Sequence, residues 1–165
     1  MIPTVRKTWA PRGKTPLLRH SYRRDRISTI SALTVSPCRG RWGLYVQFHR
    51  KNITGVEVVQ FLRLLLQQVR GCIVLLWDGG TIHRRQLVRE YLKKHRRRLR
   101  VHRFPAYAPE LNPDEHVWTQ SKRELANAAP EDIDELDRML RRSLRRLRRS
   151  QQLLQACLRM SDLSF

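Results

Sequence analysis

Acidic residues are scarce in this chain of 165: aspartate and glutamate number 14 against 34 lysines and arginines, leaving a formal charge of +20. Each phosphate neutralised by Lys or Arg releases condensed counterions, so such a deficit favours nucleic acid over small acidic substrates, with a membrane surface the weaker fit. Long apolar runs are also missing. None approaches the roughly 18 residues that span a bilayer, and Met1-Ile2-Pro3 followed by Arg6 and Lys7 lacks the apolar segment of a signal peptide. The expected location is the cytoplasm, with no membrane partner. Cysteines are few: Cys38, Cys72 and Cys157 form no CxxC pair, which argues against a disulfide framework or a zinc knuckle, and their apolar neighbours predict buried thiols. No aromatic cluster alternates with cations as in single-strand binders, so Trp9, Trp42, Trp77 and Trp118 are assigned to packing.

An apolar content of 41% supplies one sizeable core, and one compact unit over residues 1–165 is expected. Residues 1–25 carry Trp9-Ala10-Pro11-Arg12-Gly13 and Thr15-Pro16 among many cations without periodicity, and read as an extended basic arm. β-Branched and aromatic residues from Arg26 to Val35 and from Trp42 to His49 flank Ser36-Pro37-Cys38-Arg39-Gly40, which predicts a β-hairpin. Thr54-Gly55-Val56-Glu57 fits a capping box, and Val58, Leu62, Leu65 and Val69 recur at helical spacing until Gly71. The six apolar residues Cys72 to Trp77 predict a buried strand, followed by a helix through Leu87, Val88, Tyr91 and Leu92 and a strand from Leu99 to Phe104. A proline-punctuated loop then leads to a helix through Val117, Trp118 and Leu125, which completes the core over 26–125. From Pro130 a C-terminal basic helical region over 130–160 places Ile133, Leu136, Leu140, Leu144 and Leu147 on one face, with seven arginines between 138 and 149.

Asp78 follows the apolar strand and precedes two glycines, so its carboxylate is expected at the strand's C-terminal edge, where α/β sheets place their sites. A plain Asp-Gly-Gly turn is the competing reading. After one helix and one adjacent strand the chain returns along the same edge at Asn112-Pro113-Asp114-Glu115, so Glu115 is the candidate second carboxylate. Here too a structural reading competes, because Asn112 as N-cap, Pro113 at the first position and Glu115 three residues after the cap suit a capping box. Paired carboxylates in a basic protein hold Mg²⁺ ions about 4 Å apart and activate a water or 3′-hydroxyl for attack on phosphorus.

Trp77-Asp78-Gly79-Gly80-Thr81-Ile82-His83, followed by Pro105-Ala106-Tyr107-Ala108-Pro109-Glu110-Leu111-Asn112-Pro113-Asp114-Glu115-His116-Val117-Trp118, resembles the DDE transposases of the mariner superfamily, bacterial insertion-sequence branch. Thr8-Trp9-Ala10-Pro11-Arg12-Gly13 is similar to the same family, so the resemblance runs from about residue 3 to at least Leu125. It implies an α/β, ribonuclease-H-like fold, a two-metal Mg²⁺ or Mn²⁺ site, and DNA as partner, both transposon ends and target. It also implies metal-dependent strand cleavage and strand transfer at the bacterial nucleoid. Asp78 and Glu115 match the second and third metal ligands of the family. Asp114 is the neighbouring rival but stands where the family has an apolar residue, and adjacent helical residues point about 100° apart. His83 and Asn112 are the expected supporting residues.

The family's first aspartate has no counterpart here, since the only acid before Glu57 is Asp25, placed among Arg23, Arg24 and Arg26 as in a surface ion pair. The expectation is therefore an N-terminally truncated copy, short of one ligand and of the helix-turn-helix region that reads transposon ends. The strand that bears this aspartate lies between the hairpin and the parallel strands, so its loss predicts a gap in the sheet and two unpaired edges. Ten cations lie between Arg84 and Arg103 with Glu90 the one acid among them. Phosphate contacts are assigned to Arg84, Arg85, Arg89, Lys93, Lys94, Arg96, Arg97 and Arg98, and to Lys122 on the next helix. Two other functions remain open: a non-catalytic DNA-binding protein or inhibitor pairing with full-length transposase or with itself, and a ribonuclease-H-like nuclease.

Overall fold

The computed structural model describes residues 10–14, 26–126, 128 and 130–163. Strands β1 (Ser28–Ser36) and β2 (Arg41–His49) pair antiparallel from Ser28 opposite His49 to Ser36 opposite Arg41. A single 3₁₀ turn over Pro37–Arg39 joins them, and Gly40 closes it at a left-handed φ of 55°. Alternation along the strands divides the hairpin's side chains between two faces. Leu33, Trp42, Leu44, Val46 and Phe48 join one apolar cluster, and Ile30, Ala32 and Tyr45 join another.

Helix α1 (Gly55–Gln68) lies in the second cluster, with Val58, Phe61, Leu62 and Leu65 buried. Its capping box forms as the sequence predicts: the Thr54 side chain accepts from the helix's first turn, and Glu57 returns an oxygen to the Thr54 N–H at 2.8 Å. After α1 the chain reverses at Gly71, whose φ of 84° suits a residue without Cβ. Strand β3 (Ile73–Trp77), helix α2 (Gln86–Lys94) and strand β4 (Leu99–Arg103) make a crossover unit in which β3 and β4 pair parallel, Trp77 opposite Arg103. Trp77, Val88 and Leu99 bury against α1.

The remaining helices cover the other face of the hairpin. Helix α3 (Pro113–Glu124) brings Val117, α4 (Ile133–Arg149) brings Leu136, Leu140, Leu144 and Leu147, and α5 (Gln151–Arg159) brings Leu154 and Cys157. Trp42 and Trp118 pack on this cluster, in keeping with their assignment, whereas Trp9 lies outside the described residues. Asp132, not Pro130, caps α4, through a bond from the Glu135 N–H at 2.7 Å. The basic helical region is two helices because Ser150 takes an extended conformation and recaps the chain, its hydroxyl accepting from the Leu153 N–H at 3.2 Å.

Three expectations need correcting or restricting. β3 is not a buried strand: Val74 is 61% exposed, because one face of the β3–β4 pair packs on α1 and the other is uncovered among the described residues. Only Cys157 is a buried thiol. Cys38 sits in the hairpin turn and Cys72 precedes β3, and both are exposed because an apolar neighbour in sequence is no neighbour in a turn. Of the basic arm, residues 10–14 form a turn closed by the Lys14 N–H to the Pro11 carbonyl at 3.0 Å, and Asp25 lies outside the described residues. Among the described residues, β1–β2 and β3–β4 are separate two-stranded sheets, in keeping with the expected gap. Among the described residues no helix is long and apolar enough to cross a membrane.

Candidate active site

Asp78 emerges where β3 ends, and the next residue on the parallel neighbour, Phe104, donates its N–H back to the Trp77 carbonyl at 2.9 Å. The C-terminal ends of β3 and β4 therefore lie side by side under Asp78. Its carboxylate is 68% exposed, and one oxygen is held twice: Oδ1 accepts from the Gly80 N–H at 2.9 Å and lies 3.1 Å from His83 Nε2. The turn reading is thus correct as far as Oδ1 goes. Oδ2 has no protein partner among the described residues.

The turn is built for this close approach. A Cβ at Gly80 would stand 2.9 Å from Asp78 Oδ1 and 3.3 Å from the His83 ring, so glycine is needed for space. His83, in a 3₁₀ turn over Thr81–Arg84, stacks on Trp77 with ring centroids 4.2 Å apart and is only 15% exposed. Burial lowers its pKa despite the opposing pull of Asp78, so the ring is held neutral. A neutral ring that donates from Nε2 leaves Nδ1 as a buried acceptor without a partner.

Glu115 stands exposed in the first turn of α3. Asn112 caps that helix by accepting from the Asp114 N–H at 3.2 Å, while its own N–H donates to the Pro109 carbonyl at 2.9 Å. The donor that a capping box would offer Glu115 is therefore already engaged. Asp114 turns inward, accepting bonds from the Ser31 hydroxyl and from Trp118 Nε1, the latter at 3.1 Å. Trp118 Nε1 also reaches the Ser31 oxygen at 3.1 Å, which pins α3 to β1. Nothing in the sequence announced this cluster beyond an acid at an apolar position. The loop that carries the chain from β4 to Glu115 passes through Tyr107, an exposed residue at a left-handed φ of 59°.

Asp78 and His83 are in contact, whereas Glu115 belongs to a different helix. Among the described residues no group of three or more His, Cys, Asp or Glu side chains is placed to hold a metal ion. All nine cations assigned to phosphate are exposed, but Arg98 has a structural task as well. It donates to the Val69 carbonyl at 2.8 Å and the Gly71 carbonyl at 3.2 Å, satisfying the end of α1. Lys122, on α3, lies in the layer on the other face of the hairpin from α2 and β4.

The sequence pattern of the family described as DDE superfamily endonuclease matches residues 2–137. Among solved structures, the Mos1 strand transfer complex is 17% identical, with a TM-score of 0.55 over 99% of this chain and 51% of that one. The Mos1 mariner paired end complex with Mn is 16% identical, with a TM-score of 0.55 over 100% of this chain and 53% of that one. At these identities the likeness is one of fold: the α/β architecture is one found within the Mos1 chains, as the ribonuclease-H-like expectation required. The chain spans about half the length of the Mos1 chains it matches. No protein of curated function matches its sequence.

Proposed function

The chain belongs to the DDE superfamily endonuclease family, and on that premise we propose that it is a catalytic portion of a DNA transposase, with Asp78 and Glu115 as its metal-holding carboxylates. The observation that carries this reading is that each acid keeps carboxylate oxygen free of protein partners among the described residues, Asp78 at the end of β3 and Glu115 on α3. Asp78 keeps Oδ2 uncommitted, and Glu115 is released from capping by Asn112 and the Pro109 carbonyl. Hard oxygen donors of this kind suit Mg²⁺ or Mn²⁺, held by one or two carboxylates together with waters and substrate phosphates. When bound, the ion supplies activation of a water or 3′-hydroxyl and neutralises charge at phosphorus.

The chain's own residues have separable tasks. His83 and the Gly80 N–H fix the Asp78 carboxylate so that Oδ2 points away from the turn. Asn112 starts α3 and so sets the position of Glu115. Arg84, Arg85 and Arg89 hold the DNA backbone on the Asp78 side, Lys93, Lys94, Arg96, Arg97 and Arg98 hold it toward the opposite end of the β3–β4 pair, where Leu99 faces Ile73, and Lys122 reaches it from α3. Transposon ends and target DNA are the substrates, and a second copy or a longer transposase chain is the protein partner. The test is strand nicking of a supercoiled plasmid and a labelled duplex in Mg²⁺ or Mn²⁺. Asp78→Asn and Glu115→Gln are each expected to lower it about 100-fold or more; cleavage that persists in both variants removes these residues from the chemistry.

The absence of a three-ligand group among the described residues favours a second reading, DNA binding without cleavage, as in an inhibitor of full-length transposase. That reading predicts duplex binding indifferent to Mg²⁺ and to Asp78→Ala, with no nicking by the unmodified chain.

A further inference from the structure

We propose that α4 carries a second DNA-binding surface, a row of arginines that grips the phosphate backbone of a duplex on the other face of the hairpin from α2 and β4. Between 138 and 149 the helix has seven arginines and no lysine, and no acid occurs from 138 to 161. At about 100° per residue, Arg138, Arg142, Arg145 and Arg149 fall within an arc of about 60°. The buried residues Leu136, Leu140, Leu144 and Leu147 occupy the opposite arc. The row is therefore the outermost line of the helix, and all four residues are exposed.

The flanking arginines are partly consumed and these are not. Arg141 pairs with Asp137 at 2.6 Å and lies 4.1 Å from the Phe48 ring centroid, and Arg146 pairs with Glu124 at 3.4 Å. Arg138, Arg142, Arg145 and Arg149 make no ion pair among the described residues. A face that only keeps a helix soluble would mix signs. This one concentrates guanidinium groups, whose planar fork matches phosphate oxygens in pairs. The row runs for about 16 Å, which matches the axial rise of about five base pairs at roughly 3.4 Å each. A membrane is a poorer fit, because the apolar face that would enter it is already buried under the hairpin.

The row is independent of the carboxylate site. It belongs to the opposite core cluster from Asp78, α2 and β4, shares its layer with α3 and Glu115 without contributing to either carboxylate, and lies beyond residue 137, where the family pattern ends. One duplex on the α2–β4 cations and another on α4 would let a single chain bridge two DNA segments. The choice of DNA as the polyanion rests on the function proposed above, but the surface itself does not need a working active site.

The experiment uses the whole chain carrying Asp78→Asn, so that loss of cleavage cannot be mistaken for loss of binding. Arg138, Arg142, Arg145 and Arg149 are changed together to Gln, and a control changes the exposed Arg39, Arg41, Arg63 and Arg70 to Gln for the same loss of charge. Affinity for a 30-base-pair duplex is followed across a salt series, and bridging is read as capture of a fluorescent duplex by a bead-bound one. The α4 variant is expected to lose bridging, to keep single-duplex binding, and to show a salt slope smaller by about 0.9 for each phosphate no longer neutralised. The corresponding change of all four to Lys restores most of that slope, and circular dichroism checks that each variant is folded. An unchanged slope and bridging overturn the proposal. So does an equal loss in the control, which would mark a net-charge effect, or a loss confined to anionic lipid vesicles.

Discussion

Glu57 and Asp114 are both shielded from water, yet their surroundings drive their acidities in opposite directions. Lys51 at 2.8 Å, with the Thr54 hydroxyl and N–H, holds Glu57 well below the usual carboxylate range. A depressed acid adds stability above its unfolded pKa and loses it as pH falls toward the folded value. Glu57→Gln is accordingly expected to lower the thermal midpoint at neutral pH and to flatten its fall below about pH 4. Burial raises Asp114 despite the bonds from Ser31 and Trp118, so its contribution is present at low pH and declines as pH rises through the raised value. Asp114→Asn keeps an acceptor for both donors and is expected to fold with that decline removed. Asp114→Ala strands the Ser31 hydroxyl, leaves Trp118 Nε1 only the Ser31 oxygen, and costs about 1–3 kcal/mol, as chemical denaturation would measure. At the candidate site, Gly80→Ala places a methyl 2.9 Å from Asp78 Oδ1 and must displace the carboxylate. Calorimetry is expected to show Mn²⁺ binding weakened about tenfold or more in that variant, with the fold intact.

Among the elements, all four strands have a partner on one side only among the described residues. Unpaired strand edges recruit other strands, and β3 adds the exposed Val74. Self-association that grows with concentration is expected, as light scattering on a size-exclusion column would show. Val74→Lys is expected to reduce it while changing stability by less than about 0.5 kcal/mol, since the side chain is already in water. An association unaffected by that charge would place the contact elsewhere. α4 behaves differently: its apolar arc is fully used by the hairpin, so what it offers a partner is charge.

For the whole molecule, a charge of +20 and the two proposed DNA surfaces on separate layers predict a binding that depends on ionic strength. If six to ten phosphates are contacted, affinity is expected to fall by roughly 10³–10⁵ between 50 and 200 mM salt. Filter binding of a duplex across that range would measure it; a fall of less than tenfold would mean that most of the charge is merely solvated. The hairpin organises this arrangement. Its alternating side chains serve two cores, α1 with the β3–β4 crossover on one face and α3, α4 and α5 on the other.

The sequence by itself determined the elements and the motif that names the family. Helical spacing, the Thr54 capping box, alternation in the hairpin and the Asp-Gly-Gly turn are local properties that each segment enforces on itself. Tertiary structure decided what local pattern cannot carry: which side of an apolar strand meets another element, which oxygen of Asp78 is spent, and where Asp114 points. Cys38, Cys72 and Val74 read as buried because their neighbours are apolar, but burial depends on what packs across a face, and among the described residues nothing packs across theirs. The Ser31–Asp114–Trp118 cluster joins residues more than eighty positions apart, and the release of Glu115 from capping depends on a carbonyl six residues before it. Those facts belong to geometry, because hydrogen bonds are made by proximity in space and not by order along the chain.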